Sequence, residues 1–571
     1  MGSTRFYGEQ AVQPAAECQS ACCGVGKIGR LLQWLGIAFF FTAGFLPAQS
    51  DSPGPHTLTY RSAVDDTDQP YALYLPRSFA PGKVYPLVIA LHEEESNHIF
   101  ELKRVFGIPS RVGESGLQAL ALRPFPAPPN LEFIVACPFA RGTIGYLGIA
   151  ERDVYDVIAD VKRRYSIDPD RVYLTGAGMG GGGALWMALT RPDRWAAIAV
   201  VCPDPIPGTE ELAANAVNLP VRLYQGEMDP AVPAESTRAW HRRLLDAGAP
   251  VEYIEYPGVR HNAWDQAYRN GAVFDWFARH RRNPKPEHVH FATRWPEYAE
   301  AFGIRVQAAV PGQLASIDQT AAHIQTQNVA AFELDPNAVS GTLTIDSTAI
   351  RLPRNAVPAF TRSNTGWALT RSTVAELPVP AIAAAFSGRQ IYVYPTLGMQ
   401  TEEELAVRRR NAERAAAWSS LRTHLNLVFA VKADSAVTED DLASADLILF
   451  GTRQTNSIIA RFAARFPIEL SPAAADYGLV FIASIGAHYA LVNSGLPWWT
   501  GADDAHRGGY RFAPEPYRLL TTLGDYILFK GSLANVVAEG AYDRNWSIPA
   551  EAAARMLATG TVTIRGSAAA R

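Results

Sequence analysis

Between residues 53 and 284 short apolar runs alternate with amphipathic stretches along the chain. The runs at 71–74, 85–91, 133–137, 172–175, 197–201, 221–225 and 251–256 read as strands. Such alternation predicts a mostly parallel sheet with helices on both faces. The clearest helix is expected over 153–165, where Val154, Val157, Ile158 and Val161 share one face at a 3.6-residue period. Asp168-Pro169-Asp170-Arg171 is expected to stop it and launch the next strand. A second helix, over 235–247, should end at Gly248.

The texture changes over 286–352 to short β-prone runs at 288–291, 304–310, 330–334 and 341–345, which predict a small β-rich domain. Prolines at 353, 357, 378 and 380 make 353–388 read as an extended linker. From 389 to 571 alternation returns, with strands expected at 391–395, 427–431, 447–451, 479–483, 489–493 and 526–530 and helices over 402–421 and 455–466. A second α/β domain, flavodoxin-like, is the expectation there. Trp498 and Trp499 in it read first as packing residues, and second as a platform for stacking on a sugar.

Lys27 and Arg30 precede an apolar run over 31–46, followed by Pro47, Ala48, Gln49 and Ser50. This is the layout of a secretory signal peptide, so residues 1–50 are read as a leader cleaved near Ala48–Ser50, and the protein as exported, periplasmic or extracellular. The run is shorter than the roughly 20 residues of a spanning helix, so no stable membrane span is expected. Translation starting near Val25 would give a compact basic start. No cysteine follows the run at a lipobox position.

The 571 residues exceed one ordinary core, and two or three domains are expected. A net charge of -4 gives no field to attract nucleic acid or an anionic membrane, so neither is expected as a partner. Of the five cysteines, Cys18, Cys22 and Cys23 precede the apolar run. Cys137 and Cys202 remain, which supports neither a disulfide framework nor a structural zinc site.

The candidate chemistry begins at Gly176-Ala177-Gly178-Met179-Gly180, between a predicted strand and a predicted helix start. In the nucleophile elbow G-x-S-x-G, glycines flank the serine because the sharp turn leaves no room for a Cβ beside it. Here the flanking glycines are present and Gly178 stands at the nucleophile position. Asp229 and His261 follow later strands in the order that triad acid and base require.

The chain from about 60 to 282 resembles the secreted α/β-hydrolases that relate polyhydroxyalkanoate depolymerases and feruloyl-type esterases to prolyl oligopeptidase-like serine peptidases. The resemblance rests on Gln69-Pro-Tyr-Ala-Leu-Tyr-Leu-Pro76, Pro86-Leu-Val-Ile-Ala-Leu-His92, Asp170-Arg-Val-Tyr-Leu-Thr-Gly176, Met179 with its glycines, and the Asp229 and His261 segments. It implies acyl chemistry on a small-molecule ester, a polymer or a peptide, without cofactor or metal. Asp229 would orient His261, His261 would act as general base, and the backbone N–H groups of Glu93 and Met179 would form the oxyanion hole. His92 would open the oxyanion loop, where small residues are expected, but Glu93, Glu94 and Glu95 follow it.

Loss of the serine of a triad costs about a millionfold in turnover, or roughly 8 kcal/mol. Carboxylates beside the hole would oppose the developing oxyanion. Acyl hydrolysis is therefore read as ancestral and impaired, with a non-catalytic ligand-binding protein as one alternative. Others are a hydrolase using Glu93–Glu95 with His261, a metal held by His92, the glutamates, His98 and His261, and a dinucleotide held by Gly176, Gly178 and Gly181 with Asp204 as the ribose acid. The last sits poorly with the several strands that precede the motif.

Overall fold

The computed structural model describes residues 52–94, 96–108, 131–310, 313–336, 341–352, 357–370, 382–398, 401–418, 427–502, 516–520, 523–543 and 546–565. The leader and Glu95 lie outside them. No helix among the described residues is long and apolar enough to cross a membrane.

The first domain is built on an eight-stranded sheet. Its strands are β1 (Gly54–Arg61), β2 (Asp68–Leu75), β3 (Tyr85–Leu91), β4 (Ile134–Pro138), β5 (Ile167–Ala177), β6 (Ala197–Val201), β7 (Val221–Gly226) and β8 (Val251–Tyr256), in the order β1-β2-β4-β3-β5-β6-β7-β8. β1 and β2 form an antiparallel margin and the other six run parallel. All seven residues of β3 are buried, as a central strand covered on both faces demands. Leu87, Ile89 and Leu91 point into one apolar layer with Leu174, Ile198 and Leu223, while Val88 and Ala90 point into the other with Ala199 and Val201.

Helix α1 (His98–Val105) is capped by Asn97, whose side chain accepts from the N–H groups of Ile99 and Phe100. Helix α2 (Ile149–Arg164) buries Val154, Val157, Ile158 and Val161 as the periodicity predicts, but starts a turn earlier than its sequence suggested, at Gly148 in a positive-φ turn. Helix α3 (Met179–Thr190) follows the elbow, and α4 (Ala234–Asp246) packs on β7 and β8. Residues 168–171, expected to separate helix from strand, lie inside β5. Pro169 is accommodated because the β3–β5 pairing shifts register between Tyr85 and Leu87, where no ladder bond is required of it.

Two five-stranded sheets follow. One orders β10 (Glu300–Ala301), β11 (Ile304–Ala309), β14 (Val329–Leu334), β17 (Ala359–Ser363) and β18 (Gly366–Thr370). The other orders β16 (Thr348–Arg351), β15 (Thr342–Ile345), β13 (His323–Gln327), β12 (Ala315–Thr320) and β9 (His288–Thr293). Phe291, Ile317, Ile324, Phe332, Phe360 and Trp367 fill the core they share. β17 and β18 fall within the stretch read as linker; Phe360 and Trp367 give this hairpin an apolar face that the proline count concealed.

The last domain carries β20 (Ala430–Ala433), β19 (Gln390–Tyr394), β21 (Asp446–Phe450), β24 (His488–Gly495), β23 (Tyr477–Ile485), β25 (Tyr526–Lys530) and β26 (Val536–Gly540), side by side in that order, with β22 (Ile468–Leu470) and β27 (Val562–Ile564) paired apart from them. The first four are parallel and the rest join antiparallel. This departs from an all-parallel flavodoxin-like sheet. The cause is local: Gly486, at φ 77°, opens a two-residue turn that folds β23 directly back against β24. Trp498 is fully buried and donates from its indole to the Pro516 carbonyl, and Trp499 is 8% exposed, so the two are core residues and offer no sugar platform.

The turn between β1 and β2 ties the first and last domains together. Asp65 receives the Arg141 guanidinium at 2.6 Å and the Val428 N–H at 3.1 Å, and Asp66 pairs with Arg389. Val64 and Ile149 of the first domain lie in the apolar core of the last.

Candidate active site

The chain leaves β3 for β4 on one side of the sheet and crosses to β5 on the other. At such a switch point the carboxyl ends of neighbouring strands open a crevice. Leu91 pairs with Gly176, so residues 92–94 and the elbow at Gly178 emerge side by side.

Gly178 has φ 54° and ψ −120°, the strained geometry between β5 and α3. The glycines after it are demanded by packing. A Cβ on Gly180 would stand 2.1 Å from the Leu91 carbonyl oxygen, and one on Gly182 would stand 1.7 Å from that of Asp204. The start of α3 is thus pressed against protein backbone where a pyrophosphate would need to lie, which removes the support for the dinucleotide reading of Gly176, Gly178, Gly181 and Asp204.

Asp229 follows β7 and His261 follows β8. His261 Nδ1 lies 2.7 Å from Asp229 Oδ2. The other oxygen of Asp229 accepts from the N–H groups of Ala231 at 2.8 Å and Val232 at 3.0 Å, which fixes the carboxylate plane. Burial alone would raise the pKa of Asp229; the bonds from His261, Val232 and Ala231 outweigh it and hold the carboxyl below its ordinary value. In the neutral imidazole, with Nδ1 donating to a carboxylate, Nε2 carries the lone pair. That atom lies 3.4 Å from the position a Cβ on Gly178 would take. Gly178, Asp229 and His261 therefore converge.

Glu93 occupies the space between them. Its Cγ lies 2.8 Å from the same Cβ position, and its Oε1 lies 3.8 Å from His261 Nε2. Arg104 of α1 holds the other oxygen at 3.5 Å and reaches Glu101 at 3.2 Å. The guanidinium also lies 4.2 Å from the ring centre of Trp264, which meets the His261 imidazole edge-on at 5.3 Å. Glu101 is fully buried; desolvation pushes its carboxyl up to about 7, although Arg104 opposes the shift.

The remaining candidates divide. Glu94 is exposed, and Glu95 is outside the described residues. His92 is fully buried, with Nδ1 2.9 Å from the Glu93 carbonyl oxygen and Nε2 2.9 Å from that of Phe139. It is a strut behind the loop, with both ring nitrogens engaged by backbone; a strand-end histidine followed by charged residues gave no hint of this. His98 is also buried, its pKa pushed down to about 3 by desolvation. The proposed metal set of His92, His98, His261 and the glutamates is thereby not brought together. Met179 supplies the first N–H of α3, which has no partner within the helix.

Sequence reasoning missed Arg104, Glu101, Trp264 and Cys202. Only Trp264, three residues after His261, lay within a motif already singled out. The ligand atoms of Cys202, Asp229 and His261 lie within 4.8 Å of one another. A metal there would need the Cys202 thiolate, whereas burial pushes the thiol pKa up, and it would break the Asp229–His261 hydrogen bond.

No curated protein matches the chain. Solved structures similar to it include a thermostable esterase, 22% identical over 40% of this chain and 63% of that one, with a TM-score of 0.32. A CE1 ferulic acid esterase from Anaeromyces mucronatus is 19% identical over 39% of this chain and 93% of that one, with a TM-score of 0.31. A putative dipeptidyl aminopeptidase IV from Bacteroides ovatus is 15% identical over 40% and 36%, with a TM-score of 0.31. Residues 148–275 match the dienelactone hydrolase family, and the domain that contains them has the α/β-hydrolase fold.

Proposed function

We propose that this is an exported α/β-hydrolase-fold protein that binds an ester, polymer or peptide ligand in the crevice above Gly178 and does not turn it over by acyl transfer. The observation that carries this reading is Glu93 lying where a nucleophile on Gly178 would project. A glycine has no atom to attack a carbonyl, and a carboxylate beside the hole repels the charge that an acyl-transfer transition state develops. The test is turnover of p-nitrophenyl acetate and methyl ferulate by the wild type and by His261→Ala. Equal, background-level rates are expected. Wild-type turnover that His261→Ala abolishes would overturn the reading.

The 3.8 Å approach of Glu93 to His261 favours one second reading, in which Glu93 is itself the reactive group. Its carboxylate would add to the ester carbonyl and expel the alkoxide, which takes its proton from a protonated His261 Nε2 and departs as the alcohol, leaving a mixed anhydride. Water, giving its proton to His261 Nε2, would then cleave the anhydride and restore Glu93. That route predicts turnover lost in Glu93→Gln as well as in His261→Ala.

A further inference from the structure

The outer face of the β9–β12–β13 sheet carries chemistry that the hydrolase site does not use. On β9, Val289 and Phe291 turn into the sandwich core, so His288 and His290 turn to the opposite side. Register places His290 opposite Asp318 and His288 opposite Thr320 on β12, and Thr320 opposite His323 on β13. Directly paired residues share a face, so three imidazoles and a carboxylate stand on one surface. His288 Nε2 and His290 Nδ1 both address the same atom, Asp318 Oδ2, at 3.1 and 3.2 Å.

We propose that His288, His290 and Asp318 form a binding site for a first-row divalent transition cation of the zinc type, with His323 on the same face across Thr320. Ligand atoms of a four-coordinate zinc stand about 3.3 Å apart; both separations from Asp318, now hydrogen bonds, are of that size, while the two nitrogens lie more than 4.8 Å from each other. Each imidazole would give the lone pair of the nitrogen now turned to Asp318 and carry its proton on the other one. One ring must rotate to bring the two nitrogens together, and the 44% exposure of His288 leaves room for it.

The backbone beneath is fixed from both sides. β12 holds β9 along one edge, and on the other Asn215 exchanges hydrogen bonds with Ala292 while Asn218 donates to the His288 carbonyl. This framework, carried by a strand pair and a flanking hydrolase-domain segment, presents the two histidines without further folding.

Calorimetric titration of the full chain with zinc chloride tests the site, beside Asp318→Ala, the pair His288→Ala with His290→Ala, and His261→Ala. One zinc per chain is expected, bound more than about tenfold more weakly by the first two variants and unchanged by the third. Absence of zinc binding by the wild type would overturn the proposal. So would binding that persists without His288 and His290, or that disappears in His261→Ala. Thermal melts of each variant establish that these surface positions leave the fold intact.

Discussion

The Cγ of Glu93 stands 2.8 Å from where a Cβ on Gly178 would be, so the two positions constrain each other. A side chain at 178 and a glutamate at 93 exclude one another as the loop now lies. The Asp229–His261 pair is meanwhile held in reach of the same point.

Gly178→Ser alone should remain inactive, because its Cβ collides with Glu93. Gly178→Ser with Glu93→Gly should gain p-nitrophenyl ester turnover by at least about tenfold over either single change, since a hydroxyl there meets a correctly oriented base. A folded double variant at background rate would show that the oxyanion donors are no longer aligned.

Asp229 sets an acid limit on stability. Its folded pKa lies below the unfolded one, so the stabilisation is complete above the ordinary carboxylate range and is lost as pH falls through the folded value. Asp229→Asn should flatten the fall in Tm between about pH 5 and pH 3. An unchanged slope would refute this.

Glu151 acts in the opposite sense. It lies between Trp186, Arg191 and Tyr298 at the contact between α2 and the β-rich domain. Burial pushes its carboxyl up to about 7 against the hydrogen bonds of Tyr298 and Trp186. The fold retains a proton that the unfolded chain releases, so stability declines as pH rises from the ordinary glutamate value towards 7 and is level above it. Glu151→Gln should raise Tm relative to wild type above about pH 7 and lose that advantage below about pH 5.

Arg141→Met should cost about 3–5 kcal/mol, because it strands the buried carboxylates of Asp65 and Asp153. Denaturant unfolding measures the loss. A change under about 1 kcal/mol would mean that solvent reaches both carboxylates.

The first domain was the most legible in the sequence because its strands are central and parallel: the apolar runs at 85–91 and 197–201 are whole buried strands. β1 went unread because its residues are mostly half-exposed, and it is a strand only through pairing with β2. The elbow and the order of Asp229 and His261 were visible because turn sterics and chain order fix them. Arg104 and Glu101 were not, since a helix residue approaches the site through packing that no local pattern encodes. The flavodoxin-like expectation missed because a single turn glycine, Gly486, reverses a strand without disturbing the apolar pattern.

The grip of Asp65 on both Arg141 and the Val428 N–H has a practical corollary. A chain cut after residue 285 would keep every catalytic position, yet it would bare Val64 and Ile149 and take from Asp65 the Val428 N–H. The hydrolase unit was shaped with its neighbour in place, and its solubility in isolation should be poorer than its own core would suggest.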